Sequence, residues 1–163
     1  MGRIGSYAYV LKCKLAVASV RKVDDPLRLA HGVRHLGDAY YYAKQPAQAE
    51  PCYVDALSIY RRHENRRPLD LANAIRSFAV LKDEIGAVDE AQDLWQEAHY
   101  LYVALNVPAG IAESAARLAL LAQRQGDLQQ SREWLSEAKA AADASDDPET
   151  LQYIHEVTAQ IEQ

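Results

Sequence analysis

Four prolines recur along the chain at nearly constant intervals: Pro26, Pro68, Pro108 and Pro148, separated by 42, 40 and 40 residues. Each opens a similar stretch: PLRLAHGVRHLGDA, PLDLANAIRSFAVL, PAGIAESAARLALL and PETLQYIHEVTAQI. Proline is at home in the first turn of a helix, where its missing N–H has no partner to lose. A unit of this length cannot bury its apolar face alone, so repeated units must stack to share one core.

Within each unit the apolar residues keep a helical period. After Pro26 they are Leu29, Val33, Leu36 and Tyr40; after Pro68, Leu71, Ile75, Phe78 and Leu81; after Pro108, Ile111, Ala115, Leu118 and Leu121. Each stripe ends at a break, Lys44-Gln45-Pro46, Ile85-Gly86 or Gln125-Gly126-Asp127, where glycine suits a left-handed C-cap. A second stripe follows each break: Ala49, Tyr53, Ala56 and Tyr60; then Ala91, Trp95, Ala98 and Tyr102; then Ser131, Leu135, Ala138 and Ala142. Ahead of Pro26, Tyr9, Cys13, Ala16 and Val20 suggest the second helix of an incomplete leading unit. The pattern predicts about eight helices, near 6–22, 27–43, 47–63, 68–85, 88–104, 109–125, 128–143 and 148–162. Short loops make successive helices antiparallel. The expected fold class is all-α, an α-solenoid of antiparallel helix pairs. One repeat domain is expected over 1–163, with units near 26–67, 68–107 and 108–147 and flanking helices 6–22 and 148–162.

Composition agrees with helices. Phenylalanine occurs once and runs of Val, Ile and Thr are missing, which leaves little strand signal. Two cysteines, Cys13 and Cys52, are too few for a disulfide framework or a zinc set, so buried reduced thiols are expected. No apolar run reaches the roughly 18–20 residues of a membrane span. Lys12 and Lys14 interrupt the only apolar stretch near the N-terminus, which argues against a signal peptide there. The Met1-Gly2 and Ser6 pattern for myristoylation is too short to carry weight. A cytoplasmic protein with no membrane partner is expected. The net charge of −5 conceals a division. Residues 1–82 hold 14 Lys+Arg against 7 Asp+Glu, and residues 83–163 hold 4 against 16. Such a gradient suggests partners that differ along the molecule.

The pair Leu36-Gly37, followed by Tyr40, Ala49, Tyr53 and Ala56, resembles the signature of the tetratricopeptide repeat (TPR). Phe78-Ala79 and Leu118-Ala119 stand in its place in the later units. The 40–42-residue period and the run AEPCYVDALSIY from Ala49 to Tyr60 resemble the longer, kinesin-light-chain variety, which usually reads AEPLYxxALxIY there. The resemblance implies a right-handed superhelix whose first helices line a concave groove for a peptide or partner helix. It also implies a non-catalytic protein-binding adaptor or scaffold. The long variety usually carries paired asparagines in the groove columns. This chain has Arg34-His35, Arg76-Ser77 and Ala116-Arg117 instead. Asp38, Ser77 and Glu113 also depart from the set that grips chaperone C-termini, so that ligand is not expected.

With the apolar stripe turned inward, the groove side would carry His31, Arg34, His35, Asp38, Tyr41 and Tyr42 in the first unit. The second would add Asn73, Arg76, Ser77, Val80 and Asp83, and the third Glu113, Ala116, Arg117, Leu120 and Arg124. Arginine offers bidentate contacts to carboxylates and tyrosine offers rigid contact area, so an acidic, partly apolar peptide is the expected ligand. A solvated face of paired charges explains the same residues almost as well.

His31, His35 and Asp38 share one helix face at spacings of four and three, a donor set that suits zinc or nickel. Gly32 stands where a metalloprotease helix would carry its glutamate, and polar groove histidines are the expected reading. No phosphate loop, nucleophile elbow or dinucleotide fingerprint occurs, so no enzyme activity, metal or cofactor is expected. His63, His99 and His155 look isolated, with surface or groove-edge roles. The cluster Arg61, Arg62, His63, Arg66 and Arg67 reads as a solvated helix C-terminus, and no nucleic acid is expected. The alternative function is a self-associating assembly protein that uses its charged, apolar repeat ends to form a homo-oligomer. A regulatory sensor repeat comes third.

Overall fold

The computed structural model describes residues 3–162, with side chains described from residue 7. Met1 and Gly2, and with them the myristoylation pattern, lie outside the described residues. Among the described residues there are eight α-helices and no strand: α1 Arg3–Val20, α2 Pro26–Tyr42, α3 Pro46–Arg62, α4 Pro68–Glu84, α5 Val88–Ala104, α6 Pro108–Arg124, α7 Leu128–Ser145 and α8 Pro148–Ile161. All four period-setting prolines open a helix in its first turn, as Pro46 does for α3.

The helix ends follow from local chemistry. Asp25, Asp127 and Asp147 are N-caps whose carboxylates accept from the N–H groups of Arg28, Gln130 and Thr150 at 3.0, 2.9 and 3.0 Å. At the C-termini of α4 and α6, Gly86 and Gly126 take the left-handed φ values of +78° and +83°. Their followers close the turn, Ala87 N–H to the Lys82 carbonyl and Asp127 N–H to the Ala122 carbonyl, both 2.9 Å. The same closure ends α2 and α5 with Lys44 (φ +57°) and Asn106 (φ +51°) in the glycine's place. The α7 helix runs two residues past its expected end, to Ser145, because Asp146 takes the left-handed turn at φ +51°.

The chain divides into two compact units, residues 1–87 and 88–163. In the first, α2 packs against α1, α3 and α4, and α3 against α4. Its core joins Val17, Val33 and Ala56 to Leu29 and Leu36, and Ala49, Tyr53 and Leu81 to Tyr40 and Phe78. In the second unit α6 is the hub, packed against α5, α7 and α8. There Ala112, Ala115, Ala116 and Ala119 pack with Leu135, Ala138, Ile154 and Val157. Ala116, expected on the groove side, is therefore core.

Every residue of the three second-helix stripes is buried, Ala49 to Tyr60, Ala91 to Tyr102 and Ser131 to Ala142. In α4 Leu71, Ile75 and Leu81 are buried alongside Ala72 and Ala79; in α2 the small residues Ala30, Gly37 and Ala39 are buried with Val33, while Leu29, Leu36 and Tyr40 are half-buried. Backbones approach closely there. A Cβ on Gly37 would stand 2.8 Å from the Tyr53 ring and 3.2 Å from the Cys52 Cβ. The α1 stripe differs from expectation by one register. Val10 and Val17 are buried, whereas Tyr9 and Ala16 are exposed. Neither cysteine is in a disulfide, and both are half-buried instead of sealed in the core as expected.

Candidate functional site

Helix α2 places His31, Arg34, His35 and Asp38 on one face, and the structure joins all four. The Arg34 Nη1 donates to Asp38 Oδ2 at 3.3 Å, and its Nη2 lies 3.0 Å from His35 Nε2. His35 Nε2 is also 3.0 Å from His31 Nε2, and the two rings meet edge to face with centroids 4.5 Å apart. His35 Nδ1 lies 3.5 Å from Asp38 Oδ2. The other Asp38 oxygen, Oδ1, accepts the Tyr53 hydroxyl at 2.9 Å. A polar chain thus runs from the exposed His31 to a tyrosine in the α2–α3 core.

The electrostatics follow from this wiring. His35 is held below the ordinary histidine range by burial, with Arg34 and then His31 adding to it and Asp38 opposing. A neutral His35 accepts the Arg34 N–H at Nε2 and turns its own Nδ1–H toward Asp38. The Tyr53 phenol is pushed far up by burial and then by Asp38, so it remains a donor. Tyr60, also in the core, is raised by burial and then by Asp70, with Arg34 opposing. Arg34, expected to offer its guanidinium to a peptide carboxylate, is therefore neutralised in part by its own helix neighbour, four residues on.

The other expected groove residues divide by exposure. Tyr42 is 71% exposed, and its ring meets that of Tyr41 at 5.4 Å. Tyr41 is half-buried and stands under the Lys44 ammonium, which also donates to Glu84 of α4 at 2.8 Å. Asn73, Arg76 and Val80 on α4 are half-buried, while Ser77 is 8% exposed. Arg117 lies on α6 in the second unit, its guanidinium over the rings of Trp95 and Tyr153 at 5.8 and 5.6 Å. Among the described residues no cluster of His, Cys, Asp or Glu is arranged to hold a metal ion.

One constellation escaped the sequence reading. His99 is buried rather than at a groove edge. Its Nδ1 is 3.0 Å from the Ser114 hydroxyl and its Nε2 is 3.1 Å from Glu137 Oε1, joining α5, α6 and α7. Trp134 meets the imidazole edge to face at 5.1 Å. The row resembles a serine–histidine–carboxylate relay in composition only. Ser114 is fully buried and its hydroxyl donates to backbone, 2.7 Å from the Gly110 carbonyl. It is an internal tie with no nucleophile facing solvent.

No family model matches this sequence, and no curated protein matches it either. Solved structures do. The crystal structure of apo RapI superposes with a TM-score of 0.78 at 16% identity, covering 97% of this chain and 45% of that one. Aspartyl phosphate phosphatase F from Bacillus subtilis gives 0.73 at 20% identity, covering 92% and 41%. The putative kinesin light chain of Podosopora anserina, described as nearly identical TPR-like repeats, gives 0.67 at 17% identity, covering 97% and 85%. The chain thus spans less than half of the first two proteins and most of the third. At these identities the likeness speaks for the fold, which is that of TPR-like helical-repeat solenoids.

Proposed function

We propose that this chain is a non-catalytic protein-interaction module, and that the face shared by α2 and α4 in the first unit is where a peptide or partner helix lies. The observation that carries this reading is the α2 row, His31 to Asp38, which is wired together beside the exposed ring of Tyr42. Such a row presents preorganised polar groups and an aromatic anchor at little entropic cost. The first unit carries 14 Lys+Arg against 9 Asp+Glu, which favours an acidic partner. Peptides selected by display against the whole chain, then measured by fluorescence polarisation, test the reading. Tyr42→Ala and Arg76→Glu together are expected to weaken the selected peptides by at least about tenfold. Undiminished affinity in that variant would overturn it. Self-association is the second reading, favoured by the opposite charge of the second unit, 4 Lys+Arg against 14 Asp+Glu. Light scattering would then show a mass that falls as salt is added.

A further inference from the structure

A cleft of about 610 Å³ opens in the first unit, away from the Tyr42 end of α2. The end of α1, the first turns of α2 and α4, and the α3–α4 turn enclose it. Val20, Leu27 and Tyr60 supply its apolar wall, and Arg28, Arg66 and Arg67 supply its cationic groups. Two carboxylates also line it, and both are committed. Asp25 caps α2 by accepting the Arg28 backbone N–H at 3.0 Å. Asp70 is held by both Nε and Nη2 of Arg67, at 2.9 and 2.8 Å, which draws its carboxyl below the usual range.

The remaining cations are not matched. Arg66 donates Nη1 to the His63 carbonyl at 3.0 Å, and its buried Nε has no hydrogen-bond partner among the described residues. Arg28 is exposed at the rim, and no carboxylate pairs with either guanidinium among the described residues. Two helix N-termini lie at the cleft, and each already carries a carboxylate, Asp25 at the cap of α2 and Asp70 in the first turn of α4. That of α4 has no side-chain cap, because its N-cap residue is Arg67. A cleft with an apolar wall and two guanidinium groups from different elements, neither paired with a carboxylate, suits a dianion on an apolar body.

We infer that this cleft binds a phosphate monoester, with Arg28 and Arg66 gripping the phosphate and Val20, Leu27 and Tyr60 packing the group that carries it. A doubly charged phosphate matches two guanidinium forks better than a carboxylate does. The site is separate from the peptide face, sharing only His31 with it, and does not depend on that reading.

Isothermal titration of the intact chain with phenyl phosphate tests the inference, alongside benzoate, inorganic phosphate and a short phosphotyrosine peptide. Saturable one-to-one binding of phenyl phosphate, tighter than benzoate and tighter than inorganic phosphate, is expected. Arg28→Gln and Arg66→Gln should each weaken it by at least about tenfold while the far-UV circular dichroism and melting temperature stay unchanged. A phosphopeptide that binds more tightly than phenyl phosphate identifies a modified protein as the source. Equal binding identifies a small phosphorylated metabolite, and either result supports the site. Should Arg66→Gln fail to fold, Arg28→Gln and the ligand series decide alone. No saturable binding, binding indifferent to Arg28→Gln, or benzoate binding equal to phenyl phosphate overturns the inference.

Discussion

At the scale of single residues, the two histidine networks make separable predictions. Ser114 is fully buried and satisfies His99 Nδ1. Ser114→Ala leaves that nitrogen without its partner inside the second unit, and should cost about 1–3 kcal/mol in urea unfolding. A stability equal to the parent's would mean that the contact contributes nothing. His35 behaves differently, because its neutral form is the one the fold prefers. Its position below the ordinary value of 6.5 comes first from burial and then from Arg34 and His31. The unfolded chain therefore takes up a proton before the folded chain does. The stability this group contributes is present above about pH 6.5 and is lost as the pH falls through and below that value. His35→Gln should flatten that part of the stability profile, well above the range where carboxylates titrate. An unchanged profile between pH 7 and pH 5 would contradict it. A face of paired charges was the competing expectation for α2, and the pairing of Arg34 with Asp38 follows it. The spacing of four permits it, but the carboxylate's orientation is fixed from α3 by Tyr53. The sequence could not place His99 inside, since Ser114 and Glu137 come to it from two other helices.

At the scale of helices, the sequence carried most of the fold. The proline period set where first helices begin, and the tyrosine–alanine stripes of α3 and α5 are buried throughout. The small residues of α2 mattered more than its leucines, because they decide how near two backbones come. Gly37 shows this. Any Cβ there meets the Tyr53 ring, which is held in place by burial and by Asp38. Gly37→Val should therefore cost about 1–3 kcal/mol through overpacking at the α2–α3 crossing. It should also loosen the polar row, read as a lower melting temperature and altered His35 imidazole signals by NMR. The α1 helix is where periodicity failed. Tyr7, Tyr9, Leu11 and Leu15 are all exposed while Val10 and Val17 are buried. Apolar residues therefore occur on more than one side of α1, and a stripe drawn from spacing alone has no unique register.

At the scale of the whole molecule, charge and structure are partitioned alike. The basic half of the sequence coincides with the first unit and the acidic half with the second. Each unit thus carries like charges in excess and repels itself, most strongly in the second, where 14 acidic residues face 4 basic ones. Added salt screens that repulsion. Raising ionic strength from about 0.02 M to about 0.3 M should raise the melting temperature by a few degrees, and a melting temperature that falls instead would contradict this. Among the described residues no helix is long and apolar enough to cross a membrane.

The uneven placement of aromatic rings gives the two units different optical signatures. Both tryptophans, Trp95 and Trp134, belong to the second unit, while seven of the ten tyrosines belong to the first. Emission excited on the red edge of indole absorption reports on residues 88–163 alone, whereas far-UV circular dichroism sums the helices of both units. Comparing the two signals during one denaturant titration asks whether the molecule melts as one cooperative body. Coincident curves mean that it does, and an offset between them means that each unit has its own transition.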